Sequence, residues 1–130
     1  DLPMDEDVRA RILSGGRYYA HDYFGVLQQR KETMQAFGES MRSFDALVMP
    51  SSKTTAPLLT EADQALSPGH FTRPFNFLEM CGLSLPIDIA NNGMPTSLQI
   101  VGRAYDEEIC LRIGAALERD LEPIGQPDLP

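Results

Sequence analysis

Apolar residues recur at three- and four-residue steps through the first third of the chain. Val8, Ile12 and Leu13 fall on one side of a short helix predicted over Glu6–Leu13, and Ser14-Gly15-Gly16 stops it. A longer helix follows, in which Tyr19, Tyr23, Leu27, Arg30, Met34, Phe37, Met41 and Phe44 make a stripe along about seven turns. The Arg30-Lys31-Glu32 cluster is expected on a solvated face, and Gly38 to weaken the helix near its end. Asp45–Met49 is a short apolar run closed by Pro50, which reads as a buried strand, since proline cannot continue a central ladder. Pro50–Phe71 keeps no steady period. It predicts a long loop with one helical turn near Leu59–Ala65, and loops of that length in a compact domain are usually functional or mobile.

Pro74–Cys81 predicts a short helix ended by Gly82. The period then changes to two. Leu85, Ile87 and Ile89 alternate with Pro86, Asp88 and Ala90, and Leu98 and Ile100 with Ser97, Gln99 and Val101; the Asn91-Asn92-Gly93 turn signal between them predicts a hairpin. A last helix starts at Asp106, an apt N-cap, with Glu107 and Glu108 in the first turn where the helix dipole favours them. Ile109, Ile113, Leu117 and Leu121 form its stripe, Glu122-Pro123 ends it, and the tail 122–130 is expected to be extended. The class is α/β: a mixed sheet with strands near 45–49, 85–90 and 96–101, covered by helices. Three strands alone leave bare edges, which proteins pair or cover, so this piece is expected to belong to a larger sheet.

Charge narrows the partners. With 11 basic and 19 acidic residues the net charge is −8, and no run of basic residues forms a patch. Nucleic acid is excluded as a direct partner, because such binding draws on Lys and Arg at phosphates, and an anionic membrane surface is disfavoured for the same reason. No stretch approaches the roughly 18–20 apolar residues of a membrane span. The acidic start, Asp1 to Asp7, has no apolar signal core and no initiator Met, which leads us to expect a cut from a longer chain. Cys81 and Cys110 are isolated in apolar company; buried reduced thiols in a cytoplasmic protein are expected, with no disulfide framework or zinc set.

Candidate chemistry is sparse. His21 lies among tyrosines and is expected at the surface or core edge; His70 lies in the long loop, where function concentrates. No metal-ligand spacing, G-x-S-x-G elbow or Gly-rich phosphate loop occurs, and no metal or cofactor is expected. Ser51-Ser52-Lys53 places hydroxyls beside an amine. Adjacent side chains rarely aim at each other, however, and a lysine base needs burial to lose its proton, so an ordinary loop is expected there.

Three ordered blocks resemble the C-terminal part of the amidase signature family. Asp45-Ala46-Leu47-Val48-Met49-Pro50 with Ala56-Pro57 is the first; Phe71-Thr72-Arg73-Pro74-Phe75-Asn76-Phe77 through Gly82-Leu83-Ser84-Leu85-Pro86 the second. Gly93-Met94-Pro95-Thr96-Ser97-Leu98-Gln99-Ile100-Val101-Gly102-Arg103 with Glu108 is the third. Upstream, Val8 to Gly15, Tyr23 and Arg30 resemble the family's preceding helix pair. The resemblance implies that residues 1–130 are the C-terminal portion of an amidase domain, part of a larger α/β/α fold. It implies hydrolysis of a carboxamide C–N bond by a Ser–cisSer–Lys triad whose Gly/Ser-rich signature does not occur in this stretch, so the stretch alone is expected to be inactive. Gly82 and Pro86 would set a turn into a strand. Phe71, Thr72 and Phe75 would line the substrate channel, and Arg11 stands where some relatives reach a substrate carboxylate. Gly69 stands where an Asp is common in the tRNA-dependent amidotransferases, which points toward plain hydrolysis. Implied partners are a small-molecule amide substrate and the N-terminal portion of the same amidase; a homo-oligomer is compatible with this. The alternative is a non-catalytic subunit or docking module that completes another chain's sheet.

Overall fold

Residues 3–62 and 68–125 are described by the computed structural model. They form α1 (Glu6–Ser14), α2 (Ala20–Ser40), β1 (Leu47–Pro50), α3 (Arg73–Phe77), β2 (Cys81–Ile89), β3 (Pro95–Gly102) and α4 (Glu107–Asp120). β3 runs between β1 and β2, and both pairings are antiparallel. Register assigns the faces. Val48 and Leu83 both stand opposite Ile100, while Leu47 and Gly82 both stand opposite Val101, so Ile100 points to one face and Val101 to the other. Both side chains are wholly buried, worth roughly 1.5–3 kcal/mol each.

α4 covers the Ile100 face. Its point of closest approach is Gly114, where an added Cβ would stand 2.4 Å from Leu83 Cδ2 and 3.6 Å from Ile100 Cδ1. The helix is therefore turned relative to the expected stripe: Cys110 and Gly114 are its buried residues, and Ile109 and Ile113 are half-exposed along a shallow side of the helix with Ala116. Small residues win the contact because they let backbones approach. Asp106 holds the N-cap position, but its side chain makes no cap hydrogen bond.

The hairpin is present and its turn has the expected chemistry. Gly93 adopts φ +78°, its N–H donates to Ala90 O at 2.8 Å, and Asn92 Oδ1 accepts from Met94 N. The segment before it differs from expectation. α3 stops at Phe77, and β2 starts at Cys81, four residues before the expected Leu85, so Gly82 lies inside the strand instead of setting a turn, while Pro86 lies within it as the alternation predicted. β2 is an edge of this sheet, where a residue without an N–H is tolerated, and a bulge follows between Pro86 and Asp88.

On the opposite face, residues from earlier in the chain meet the end of β3. Met41, just past α2, is buried. Arg103 Nη2 donates to the carbonyls of Met41 at 3.1 Å and Phe44 at 2.8 Å, capping the helix's carbonyl end with a cation. Within α2 itself no residue is buried. Arg30, Met34 and Phe37 are half-buried, so the stripe is used only from Arg30 onward; Tyr23 and Phe24 remain 61% and 69% exposed. Gly38 does not interrupt the helix, which runs to Ser40. α1 lies against the turn Gly15–Arg17 that follows it. In the long loop short helical turns form at Leu59–Glu61 and Pro68–His70; the rest of the turn expected up to Ala65, and most of the tail, lie outside the described residues.

Gly114→Val should lower stability by about 1–3 kcal/mol, the usual cost of overpacking, read as a lower urea midpoint at unchanged slope. Burial first, then the neighbouring Cys81 thiol, pushes the Cys110 thiol up from 9.0 to about 11. A thiol that holds its proton more tightly when folded contributes stability below pH 9 that is lost as pH rises toward 11. Stability should fall across that window, and Cys110→Ala should flatten this arm in a denaturant series taken at several pH values.

Candidate functional site

Gln99 is the starting point. It is 6% exposed on β3, and a buried carboxamide must find partners. Its Nε2 donates to Phe71 O at 3.0 Å, which fixes the entry to α3 over the Val101 face of the sheet. Pro74 suits the first turn of that helix. The helix ends in a tight reversal: Met80 N–H donates to Phe75 O at 3.0 Å, Glu79 N–H donates to Asn76 O at 3.3 Å, and Glu79 takes a left-handed φ of +57°. That conformation is costly for a residue with a Cβ. Arg30 from α2 holds it, pairing with Glu79 Oε1 at 2.9 Å, donating from Nε to Phe77 O at 2.6 Å and lying 5.4 Å from the Phe77 ring centroid. Arg30 is thus a brace and not part of the solvated face expected of its cluster.

Between the Gln99 and Arg30 braces stand the residues singled out from sequence. Phe71 and Phe75 are half-buried and Thr72 is exposed. Phe75 meets Phe37 edge-on at 6.4 Å, and His70 meets Phe71 edge-on at 5.0 Å. One turn of chain therefore brings Phe71, Thr72 and Phe75 together. Arg11 lies exposed on α1, a separate element. His21 stacks on Tyr19 and lies 3.3 Å from Asp22 Oδ1, at the surface as expected.

The Ser/Lys triplet is not assembled for catalysis. Ser51 Oγ shares a hydrogen bond with Ser84 Oγ at 3.0 Å, and Ser52 Oγ donates to Thr54 O at 2.8 Å. A hydroxyl and a peptide carbonyl lack the basicity to take a serine proton. Lys53 instead borders a shallow, mostly apolar groove of about 540 Å³ on the Ile100 face beyond α4, between Val48, Pro50, Leu98 and the loop 52–55. Sequence reading missed this groove: Asp45–Met49 read as a buried strand, whereas Val48 is 54% exposed. Among the described residues no group of three or more His, Cys, Asp or Glu side chains is placed to hold a metal ion, and no helix is long and apolar enough to cross a membrane.

The chain thus sets helices on both faces of a three-stranded sheet, with a doubly braced aromatic turn and no serine paired to a base among its described residues. Residues 1–111 match the family model for amidases, and the chain belongs to the amidase family. It is 35% identical over 127 residues to the A-subunit of the glutamyl-tRNA(Gln) amidotransferase of Acidobacterium capsulatum, covering 91% of this chain and 27% of that protein. A crystal structure of an amidase superposes on 92% of this chain, and 29% of its own, with a TM-score of 0.78 at 30% identity. The crystal structure of the corresponding glutamyl-tRNA(Gln) amidotransferase A-subunit of Thermotoga maritima does so over 93% of this chain and 28% of its own, with 0.72 at 26%. The chain thus spans about a quarter to a third of the length of these relatives.

Arg30→Ala should cost about 1–3 kcal/mol, since it leaves the Phe77 carbonyl and a left-handed Glu79 without their cation. Arg30→Lys should recover only part of this, because an ammonium cannot serve both acceptors and the ring at once. Thermal denaturation of the two variants side by side checks both statements.

Proposed function

We propose that this chain is the C-terminal portion of an amidase that hydrolyses the C–N bond of a small carboxamide. Serine attack on the amide carbonyl would form an acyl-enzyme, the amine or ammonia would leave, and water would release the acid. The Ser–cisSer–Lys triad lies outside this stretch in this reading, as the hydroxyl and carbonyl partners of Ser51 and Ser52 suggest. Phe71, Thr72 and Phe75 are assigned as a wall of the acyl pocket: the two rings hold apolar acyl groups and exclude water, and the Thr72 hydroxyl is free to turn toward a polar group on the substrate. The observation that carries this assignment is the Gln99 bond to Phe71 O, a buried polar brace that pre-organises a half-buried aromatic turn. Arg11 is assigned a substrate-carboxylate contact brought into place by the rest of the enzyme. The relatives named as amidotransferase subunits keep the tRNA-linked reaction in view, while Gly69, lacking the carboxylate common there, favours simple hydrolysis. The two free thiols support a cytoplasmic setting.

A second reading is favoured by one specific observation, the open apolar side of α1 and of the first half of α2. A docking module would use that side to complete another chain. The two readings part on activity.

In the full-length protein carrying these residues, ammonia release from a panel of carboxamides should be measurable without any tRNA. Phe71→Ala and Phe75→Ala should lower kcat/KM about tenfold for amides with bulky acyl groups and less for small ones, the scale of one lost apolar contact surface. Ser51→Ala should leave kcat unchanged. Absence of ammonia release from every amide would overturn the enzymatic reading and leave the docking module.

A further inference from the structure

Cys81 opens β2 and Cys110 sits in the first turns of α4, 29 residues apart in sequence, yet their Sγ atoms lie 3.6 Å from each other. Gly102 on β3 makes this possible. A Cβ there would stand 2.7 Å from Cys110 Sγ, 3.0 Å from Cys81 Sγ and 3.2 Å from Asp106 O, so no side chain fits beneath the two sulfurs. Cys81 Sγ also donates to Arg103 O at 3.0 Å. The two thiols differ in access: Cys81 is half-buried, whereas Cys110 is 3% exposed. Their sulfurs need to close only about 1.5 Å to reach bonding distance, a movement within reach of side-chain rotation.

We propose that Cys81 and Cys110 form a redox modification site, in which a hydroperoxide converts the pair to an intramolecular disulfide. The thiolate of Cys81, the more accessible sulfur, attacks the terminal peroxide oxygen. The O–O bond breaks, the leaving oxygen takes up a proton as water or alcohol, and Cys81 becomes a sulfenic acid. Cys110 then attacks the Cys81 sulfur, the S–O bond breaks, and the departing oxygen leaves as water with the Cys110 proton. Two thiols and one hydroperoxide give one disulfide, one water and one water or alcohol, so the peroxide is reduced by the two electrons the thiols lose. The roles follow from burial. A thiol held protonated well above neutral pH is a poor first target for peroxide, but it is already placed against the sulfur that reacts. The product staples the start of α4 to the start of β2, immediately after the Glu79–Met80 reversal that ends α3. This assignment does not depend on the amidase reading.

The test uses the protein reduced, freed of reductant and treated with hydrogen peroxide at neutral pH. Non-reducing peptide mapping should show Cys81 and Cys110 peptides joined within one molecule, lighter by the mass of two hydrogen atoms, with a Tm a few degrees higher that dithiothreitol reverses. Cys110→Ser should leave Cys81 as a sulfenic acid trapped by dimedone, and Cys81→Ser should leave Cys110 reduced under the same exposure. The proposal is overturned if the treated wild-type protein keeps both thiols, if Cys81 passes to sulfinic acid while Cys110 stays a thiol, or if the link forms between molecules.

Discussion

The ladder position of β3 is the constraint on which the rest of this chain depends. Among the described residues it is the one strand with neighbours on both sides, and its two wholly buried residues point to opposite faces. Ile100 receives α4, while Val101 lies under the α3 side. The residues around them are equally committed: Gln99 holds Phe71, Gly102 admits two sulfurs, and Arg103 caps α2. A single eight-residue strand thus sets the position of every layer, and a slip of one residue would exchange the two faces at once.

The fold was legible where one short-range rule decides it. The Asn91-Asn92-Gly93 turn, the alternation around it and the long heptad-like runs before it give hairpin and helices directly. Burial was less legible, because periodicity says which residues share a side and not whether anything lies against it. The α2 stripe is continuous in sequence, but only the part from Arg30 onward meets protein. In α4 the large residues drew attention, yet Cys110 and Gly114 make the contact, since close approach rewards small side chains. Gly82 misled for a related reason: it read as a helix stop, yet the strand already runs through it, and where a strand begins is set by its pairing with β3.

Phe71, Thr72 and Phe75 were singled out by the family resemblance, and they lie close together along the chain. The braces of this turn were not legible. Gln99 is 28 residues from Phe71 and Arg30 is 47 from Phe77, and no local pattern announces such pairs. The left-handed Glu79 is also silent in sequence, where a glycine would have been the expected signal. Many residues that carry the family resemblance prove to be structural: Gly93 turns the hairpin, Gln99 and Arg103 bridge elements, and Gly102 makes room. Such positions hold the scaffold still and carry no chemistry of their own.

Arg103 has a consequence for the order of assembly. Its acceptors lie 59 to 62 residues earlier in the chain, and they are carbonyls just past the end of α2. A ribosome delivers that helix long before it delivers the cation that anchors its end. Arg30 and Phe37 can meet the α3 turn once residues 75–79 have emerged, but the end of α2 lacks its anchoring cation until β3 has followed. Final seating of the end of α2 is therefore a late event on the way to the native state, set by the last hairpin instead of by the helix's own propensity.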